Sequence, residues 1–209
     1  MPLNVKETGT NFTPVPQGTH GAVCFLVADI GLQVGIYGTK HKVVLGFELP
    51  NLMIDIEGEP KPMIIYSTYT ASLSDKAILR KDMEGWRGKQ FTKEELEGFD
   101  LFNILGKSCI LTVVHNVQSD RTYANITGIG KLMAGMDDFK ATRLLKYSKD
   151  EPGQLDSLPE WIQNKIKHVS PQESIQQMKN VIDHPEQQVT QSAGQVKADA
   201  DIYDDDIPF

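Results

Sequence analysis

The last six residues of the chain carry the most specific chemistry: Asp204, Asp205, Asp206, Ile207, Pro208 and Phe209. Three carboxylates are followed by two apolar side chains and the terminal carboxylate. A charge run of this kind is often only a solvating tail, but exposed apolar groups work against solubility. Such a peptide suits a small apolar pocket with a basic rim, in which Arg side chains or backbone N–H groups bind carboxylates. The motif therefore predicts a segment that recruits partner proteins.

Aromatic residues interleaved with Lys and Arg are the second candidate for a binding site. Binding of single-stranded DNA (ssDNA) without sequence preference requires cations along the phosphates and aromatic faces on which bases stack. Tyr66 and Tyr69 have opposite parity on one predicted strand, so at most one of them faces such a site. Trp86 fits either a stacking platform or a core position. The candidate DNA-binding residues are Tyr37, Lys40, Lys42, Tyr66, Arg80, Trp86, Arg87, Lys89, Arg121 and Tyr123.

Catalytic and metal sites have weaker support in the sequence. Asp55, Glu57 and Glu59 alternate along the chain and resemble a carboxylate cluster for a metal ion, but the solvated end of a hairpin explains them better. The five histidines and two cysteines have no zinc-site spacing. Cys109 lies among apolar strand residues, which predicts an inert core position. We expect no catalytic residues, no metal and no cofactor.

Composition and charge restrict the class of protein. The chain has 209 residues and a net charge of −7, which is enough for one domain with extra segments. Residues 171–209 hold eight acidic and two basic residues, so residues 1–170 are close to neutral. The sequence has no apolar stretch long enough to span a bilayer and no secretory signal at its start. With only two cysteines, it predicts a cytoplasmic protein with an acidic interaction tail.

The order of predicted elements indicates the fold. Strand patterns fill residues 19–71, where 40–49 and 53–57 form separate strands and 58–61 a turn. Within 40–49, one predicted face holds His41, Val43, Leu45 and Phe47, and the opposite face holds Lys40, Lys42 and Glu48. A helix capped by Ser74 and stopped by Gly85 follows, and then a capping box at Thr92–Glu95. Strands return at 108–115 and 123–129. The order predicts a mainly β protein with a five-stranded Greek-key barrel, the OB-fold, whose helical insert lies between strands 3 and 4. A small β-sandwich and an unrelated α+β sheet are the alternatives.

These patterns divide the chain into four parts. Residues 1–18 are predicted to be a flexible arm and residues 19–150 the OB-fold domain. Residues 151–185 are a helical appendix, with an apolar stripe in 158–169 and a second helix after a capping box at Ser170–Glu173. Residues 186–209 are a disordered linker and the acidic tip. In an OB-fold, ligands bind on the face of strands 2 and 3 and on the loops that join strands 1–2 and 4–5.

Asp204–Phe209 resembles the C-terminal tip of bacterial ssDNA-binding proteins, and some phage ssDNA-binding proteins similarly end in an acidic stretch closed by Phe. Segments 69–80, 85–88, 99–101 and 105–109 resemble a phage-encoded group of ssDNA-binding proteins, a likeness that spans about residues 20–132. The resemblance implies ssDNA binding and protection in phage DNA replication, recombination or repair, with recruitment of host enzymes through the tip. An interaction adaptor that does not bind DNA, or a carboxylate–metal nuclease, are the alternatives.

Overall fold

Five long strands form a nearly closed antiparallel barrel in the computed structural model, which describes residues 13–35, 38–119, 121–150 and 152–167. The strands are paired in the order β3-β2-β1-β4-β5, and β3 contacts β5 where the barrel closes. The protein is therefore mainly β, as predicted. The strands are β1 (Gly18–Gly35), β2 (Gly38–Ile56), β3 (Glu59–Thr70), β4 (Ser108–Gln118) and β5 (Arg121–Gly130).

Helical segments lie between β3 and β4 and after β5. The insert between β3 and β4 contains α1 (Ile78–Arg87), α2 (Lys93–Glu97) and a 3₁₀ turn at Leu101–Ile104. After β5 come the short strand β6 (Leu145–Tyr147), a 3₁₀ turn at Pro152–Ser157 and α3 (Glu160–Lys167). Among the residues that the structure describes, no helix has both the length and the apolar composition that a membrane span requires.

Alternation along β2 fills the barrel interior. Val43, Leu45 and Phe47 point inward and are at most 7% exposed, as the sequence pattern predicts. Two buried residues of α1, Leu79 and Met83, pack into the same core, and the helix contacts β5 and β3. The interior therefore consists of alternate strand residues and one apolar helix face.

The hairpin between β2 and β3 differs from the prediction. The two predicted strands at 40–49 and 53–57 form one continuous strand, which has an irregularity between Leu49 and Met53. The turn lies at Glu57 and Gly58, both with positive φ, and not at residues 58–61. A bulge bends a strand without ending it, so the residue pattern on its two sides resembles that of two separate strands.

The bounds of α1 also correct the prediction. Ala77 occupies the N-cap position, without a side-chain cap hydrogen bond, in place of Ser74. The helix continues through Gly85 and ends at Gly88, whose φ of 67° is the left-handed conformation that favours glycine. A Cβ atom on Gly85 would lie 2.6 Å from the carbonyl oxygen of Ile129. Gly85 therefore permits close packing of the helix against β5. The predicted capping box at Thr92 and Glu95 is confirmed.

A second apolar core lies on the outer side of β1, β2 and β3. It is covered by residues 139–150 and 155–167, which we call the cover. Leu145 and Tyr147 of β6, which runs parallel to β1, are buried there together with Leu158 and Ile162. The described part of the appendix therefore packs against the barrel. The predicted helix at 171–182 and the acidic tail lie outside the described residues.

Both cysteines, Cys24 and Cys109, are buried in the barrel. Burial raises the pKa of Cys24 to about 12 and raises the pKa of Cys109 as well. Because the thiolate is the reactive form, we expect neither cysteine to react with a disulfide reagent at pH 8 while the protein is folded. Both should react in denaturant. A thiol that reacts rapidly in the native protein would contradict this burial.

Candidate nucleic-acid interface

The candidates on β2 and β3 share the outer side of the barrel. Lys40 and Lys42 alternate with inward residues of β2, and Tyr66 is the neighbour of Gly46 on β3. Tyr69 instead points inward, where its hydroxyl donates a hydrogen bond to Asp82 at 2.9 Å. The two tyrosines therefore lie on opposite sides of the sheet, and of the two only Tyr66 is on the outer side. This outer side brings two predicted cations and one predicted aromatic residue onto a common surface.

The cover takes up the middle of this outer face. Val44 and Glu48 flank Gly46 on β2, and both are at most 1% exposed. The Glu48 carboxylate accepts hydrogen bonds from the backbone N–H of Thr142 at 2.7 Å and from the Thr142 hydroxyl at 2.5 Å. The sequence pattern places Glu48 on the polar side of its strand, which is correct, but the cover buries that side. A site on the outer face is therefore confined to the margin of the cover.

Tyr66 lies at this margin. It is half-buried, and its ring makes edge contacts with Phe25 and Trp161 at centroid distances of 5.9 and 5.3 Å. Burial raises the pKa of the Tyr66 hydroxyl, and the nearby positive charge of Arg143 partly opposes that rise. The phenol therefore stays neutral at physiological pH and provides an aromatic ring beside a cation.

Trp86 lies in the barrel core. It is 6% exposed, its ring packs 5.7 Å from that of Phe47, and its indole N–H donates to the Ser108 carbonyl at 2.8 Å. A stacking residue needs an open aromatic face. The burial of Trp86 argues against the predicted stacking role, and we assign the side chain to packing.

Arg80 is held by carboxylates of its own segment. Its guanidinium forms ion pairs with Glu84, at 3.0 Å, and with Asp75. The hydrogen bond to Glu84 raises the pKa of Arg80, and the same bond lowers the pKa of Glu84. Carboxylates of the insert therefore neutralise the positive charge of Arg80.

Arg87 and Lys89 also lie beside a carboxylate of the insert, that of Glu95. Arg87 pairs with Glu95, and its guanidinium lies 4.4 Å from the centroid of the Phe91 ring and 5.3 Å from that of Phe99. The Lys89 ammonium is 3.8 Å from Glu95 and remains 64% exposed. Arg80 and Arg87 thus serve the packing of the insert, and of these three cations only Lys89 extends largely into solvent.

Two further predicted residues lie where β4 and β5 form a hairpin. Arg121 is exposed and Tyr123 is half-buried at the start of β5, where they are paired with Gln118 and Asn116 of β4. Tyr37 lies outside the described residues. The structure thus leaves Arg121 and Tyr123 as candidates on a hairpin separate from the outer face of β2 and β3.

The acidic residues at the β2–β3 hairpin do not form a metal site. Asp55 accepts a hydrogen bond from the Gly58 backbone N–H at 2.8 Å, and Glu59 pairs with Lys61 at 3.1 Å. Within the part of the chain that the structure describes, no three His, Cys, Asp or Glu side chains are grouped to hold a metal ion.

Two residues of this surface were missed by the sequence reasoning, Arg143 and Trp161. Both belong to the cover, which was interpreted as the end of one domain and a separate appendix. One signal was present: residues 139–149 contain four cations and no acidic residue.

No protein-family model matches this chain, and no curated protein matches it.

Proposed function

We propose that the barrel is an OB-fold that binds ssDNA without sequence preference during phage DNA replication or recombination. One observation carries the proposal: Lys40, Lys42 and Tyr66 share the outer side of β2 and β3, the side on which OB-folds bind oligonucleotides. The strand order and the packing of α1, which lies between β3 and β4, are compatible with that fold. We further propose that Asp204–Phe209 recruits host replication and repair enzymes.

A titration of the full chain with fluorescently labelled oligo-dT at several salt concentrations tests the proposal. Because phosphate contacts release counterions, affinity should fall steeply and log-linearly with salt. Oligomers of different base composition should bind with similar affinity, because stacking and phosphate contacts tolerate any sequence. No binding at low salt would contradict the proposal.

Replacing Lys40 and Lys42 together by Ala should make the salt dependence shallower. Each phosphate contact on a single strand contributes about 0.7 to the log–log slope, so the double variant should lose roughly 1–1.5. Lys81→Ala/Lys93→Ala is the matched control, because both lysines are exposed on the helical insert. A slope that equals that of the wild type would remove β2 from the site.

An interaction adaptor that uses Asp204–Phe209 without binding DNA is the second candidate function. It is favoured by one observation, the burial of Val44 and Glu48 in the middle of the outer face. The oligo-dT titration separates the two functions, because an adaptor of this kind would recruit partners while showing no salt-dependent DNA binding.

A further inference from the structure

Two aromatic side chains meet at the surface where the cover ends on the barrel. Trp161 of α3 is 38% exposed, and its ring lies 5.3 Å from that of Tyr66 at an interplanar angle of 80°. The ring of Phe25, which is fully buried, contacts the ring of Tyr66 at a centroid distance of 5.9 Å. The pair therefore stands on a packed base, with part of its aromatic surface open to solvent.

The packing of α3 does not require Trp161 to be at this place. The helix is anchored by Ile162, which is fully buried, and by Ile166, which packs against the same core. Trp161 lies to the side of this apolar stripe. A large aromatic ring that is held by an edge contact and is 38% exposed loses little conformational freedom when a ligand binds.

Two cations, Arg143 and Lys42, lie on the same outer surface as this aromatic pair. The Arg143 guanidinium is 5.4 Å from the centroid of the Phe25 ring. It is also close enough to Tyr66 for its charge to oppose the rise in the pKa of the Tyr66 hydroxyl that burial causes. The structure gives Arg143 no ion pair within the residues it describes. Lys42 lies on the outer side of β2, about 13 Å along the strand from the position opposite Tyr66. The outer surface thus combines cations with an exposed aromatic surface, the combination that binding of a single strand requires.

We propose that Trp161 and Tyr66 form a base-stacking platform for ssDNA, with Arg143 and Lys42 binding the phosphates on either side. The proposal rests on the proposed function and adds the cover to the binding surface. A base stacks on the open face of Trp161, because every base has a π-face that an indole can accept. The barrel and the C-terminal helix then bind the strand together, and Trp86 contributes only to folding.

The two tryptophans make this proposal directly measurable, because they occupy opposite environments. Oligo-dT should quench the exposed Trp161 and leave the buried Trp86 unchanged. In Trp161→Phe, the oligo-dT response should therefore disappear although binding, followed through a label on the DNA, persists on the remaining aromatic ring. If the quenching persists in this variant, Trp86 is the tryptophan that responds and the platform is wrong.

Affinity provides the second measurement. Trp161→Ala should weaken oligo-dT binding by about 5- to 140-fold, the equivalent of one lost stacking interaction. Leu144→Ala is the matched control, since Leu144 is 52% exposed in the same cover and has no aromatic face. Its affinity should equal that of the wild type. Both variants should first be shown to unfold cooperatively, and Trp161→Phe provides the comparison if the alanine variant does not fold.

The outcomes separate the platform from the proposed function. If the wild type binds oligo-dT and Trp161→Ala binds equally well, ssDNA binding stands and the platform is overturned. If Trp161→Ala binds more tightly, α3 competes with DNA for the outer face, which also overturns the platform. If the wild type does not bind oligo-dT in low salt, both the function and the platform are wrong.

Discussion

Replacing Trp86 by Ala is expected to lower the free energy of unfolding by about 3–5 kcal/mol, which is the usual cost of truncating a buried aromatic side chain. The indole packs between α1 and the barrel beside Phe47, so the truncation leaves a cavity in the core. It also removes the donor to the Ser108 carbonyl. Since domains of this size are stable by about 5–15 kcal/mol, much of the native stability should be lost.

Chemical denaturation, followed by circular dichroism, measures this loss. Trp161→Ala is the matched control, because the same truncation at a 38% exposed position should cost far less. The free energy of unfolding of Trp86→Phe should lie between those of Trp86→Ala and Trp161→Ala, since a ring remains beside Phe47 while the hydrogen bond to Ser108 is lost. A Trp86→Ala protein with wild-type stability and weakened ssDNA affinity would restore the stacking role and refute the core assignment.

Local patterns predicted the parts of the fold that local physics determines. The alternation of Val43, Leu45 and Phe47 follows from the two-residue period of a strand, and it correctly gave the inward face of β2. The capping box at Thr92 and Glu95 involves only four consecutive residues and is present as predicted. The opposite facing of Tyr66 and Tyr69 follows from the same period.

Features that depend on distant parts of the chain were not predictable in this way. Gly85 resembled a helix stop, yet its role is set by the carbonyl of Ile129, which lies 44 positions further along the chain. Glu48 resembled a solvated residue, and its burial depends on hydrogen bonds from Thr142. In both cases the partner belongs to an element whose docking cannot be inferred from one-dimensional periodicity.

The candidate site likewise combines features that the local sequence predicts with features that depend on distant parts of the chain. Arg80 and Arg87 were predicted to bind DNA, but both are paired with carboxylates of the same insert. The sequence reasoning assigned stacking to Trp86 and overlooked Trp161, whereas packing shows Trp86 to be buried and Trp161 to be 38% exposed. Charge and aromatic content therefore indicate the chemistry that a site could use, whereas packing decides which side chains remain accessible to a ligand.

The second large effect is expected at the acidic tip. Phe209→Ala should weaken binding to a host exonuclease or helicase that recognises such tips by at least about 30-fold, because an aromatic anchor in a partner pocket commonly contributes 2 kcal/mol or more. Deletion of residues 204–209 should abolish recruitment altogether, since the aspartates that meet the basic rim are lost as well. Calorimetry with the purified enzyme measures both losses.

The DNA-binding and recruiting roles should separate in these variants. Phe209→Ala keeps every charge of the chain, so its ssDNA affinity should equal that of the wild type. The deletion removes three negative charges that can compete with phosphates for Lys42 and Arg143, so its ssDNA affinity should be equal or higher. Tyr203→Ala is the matched control, since it removes an aromatic ring immediately before the tip and should leave recruitment intact. If Phe209→Ala binds the enzyme as tightly as the wild type, the tip acts only as a solvating tail, and enzyme recruitment must be assigned to another surface or abandoned.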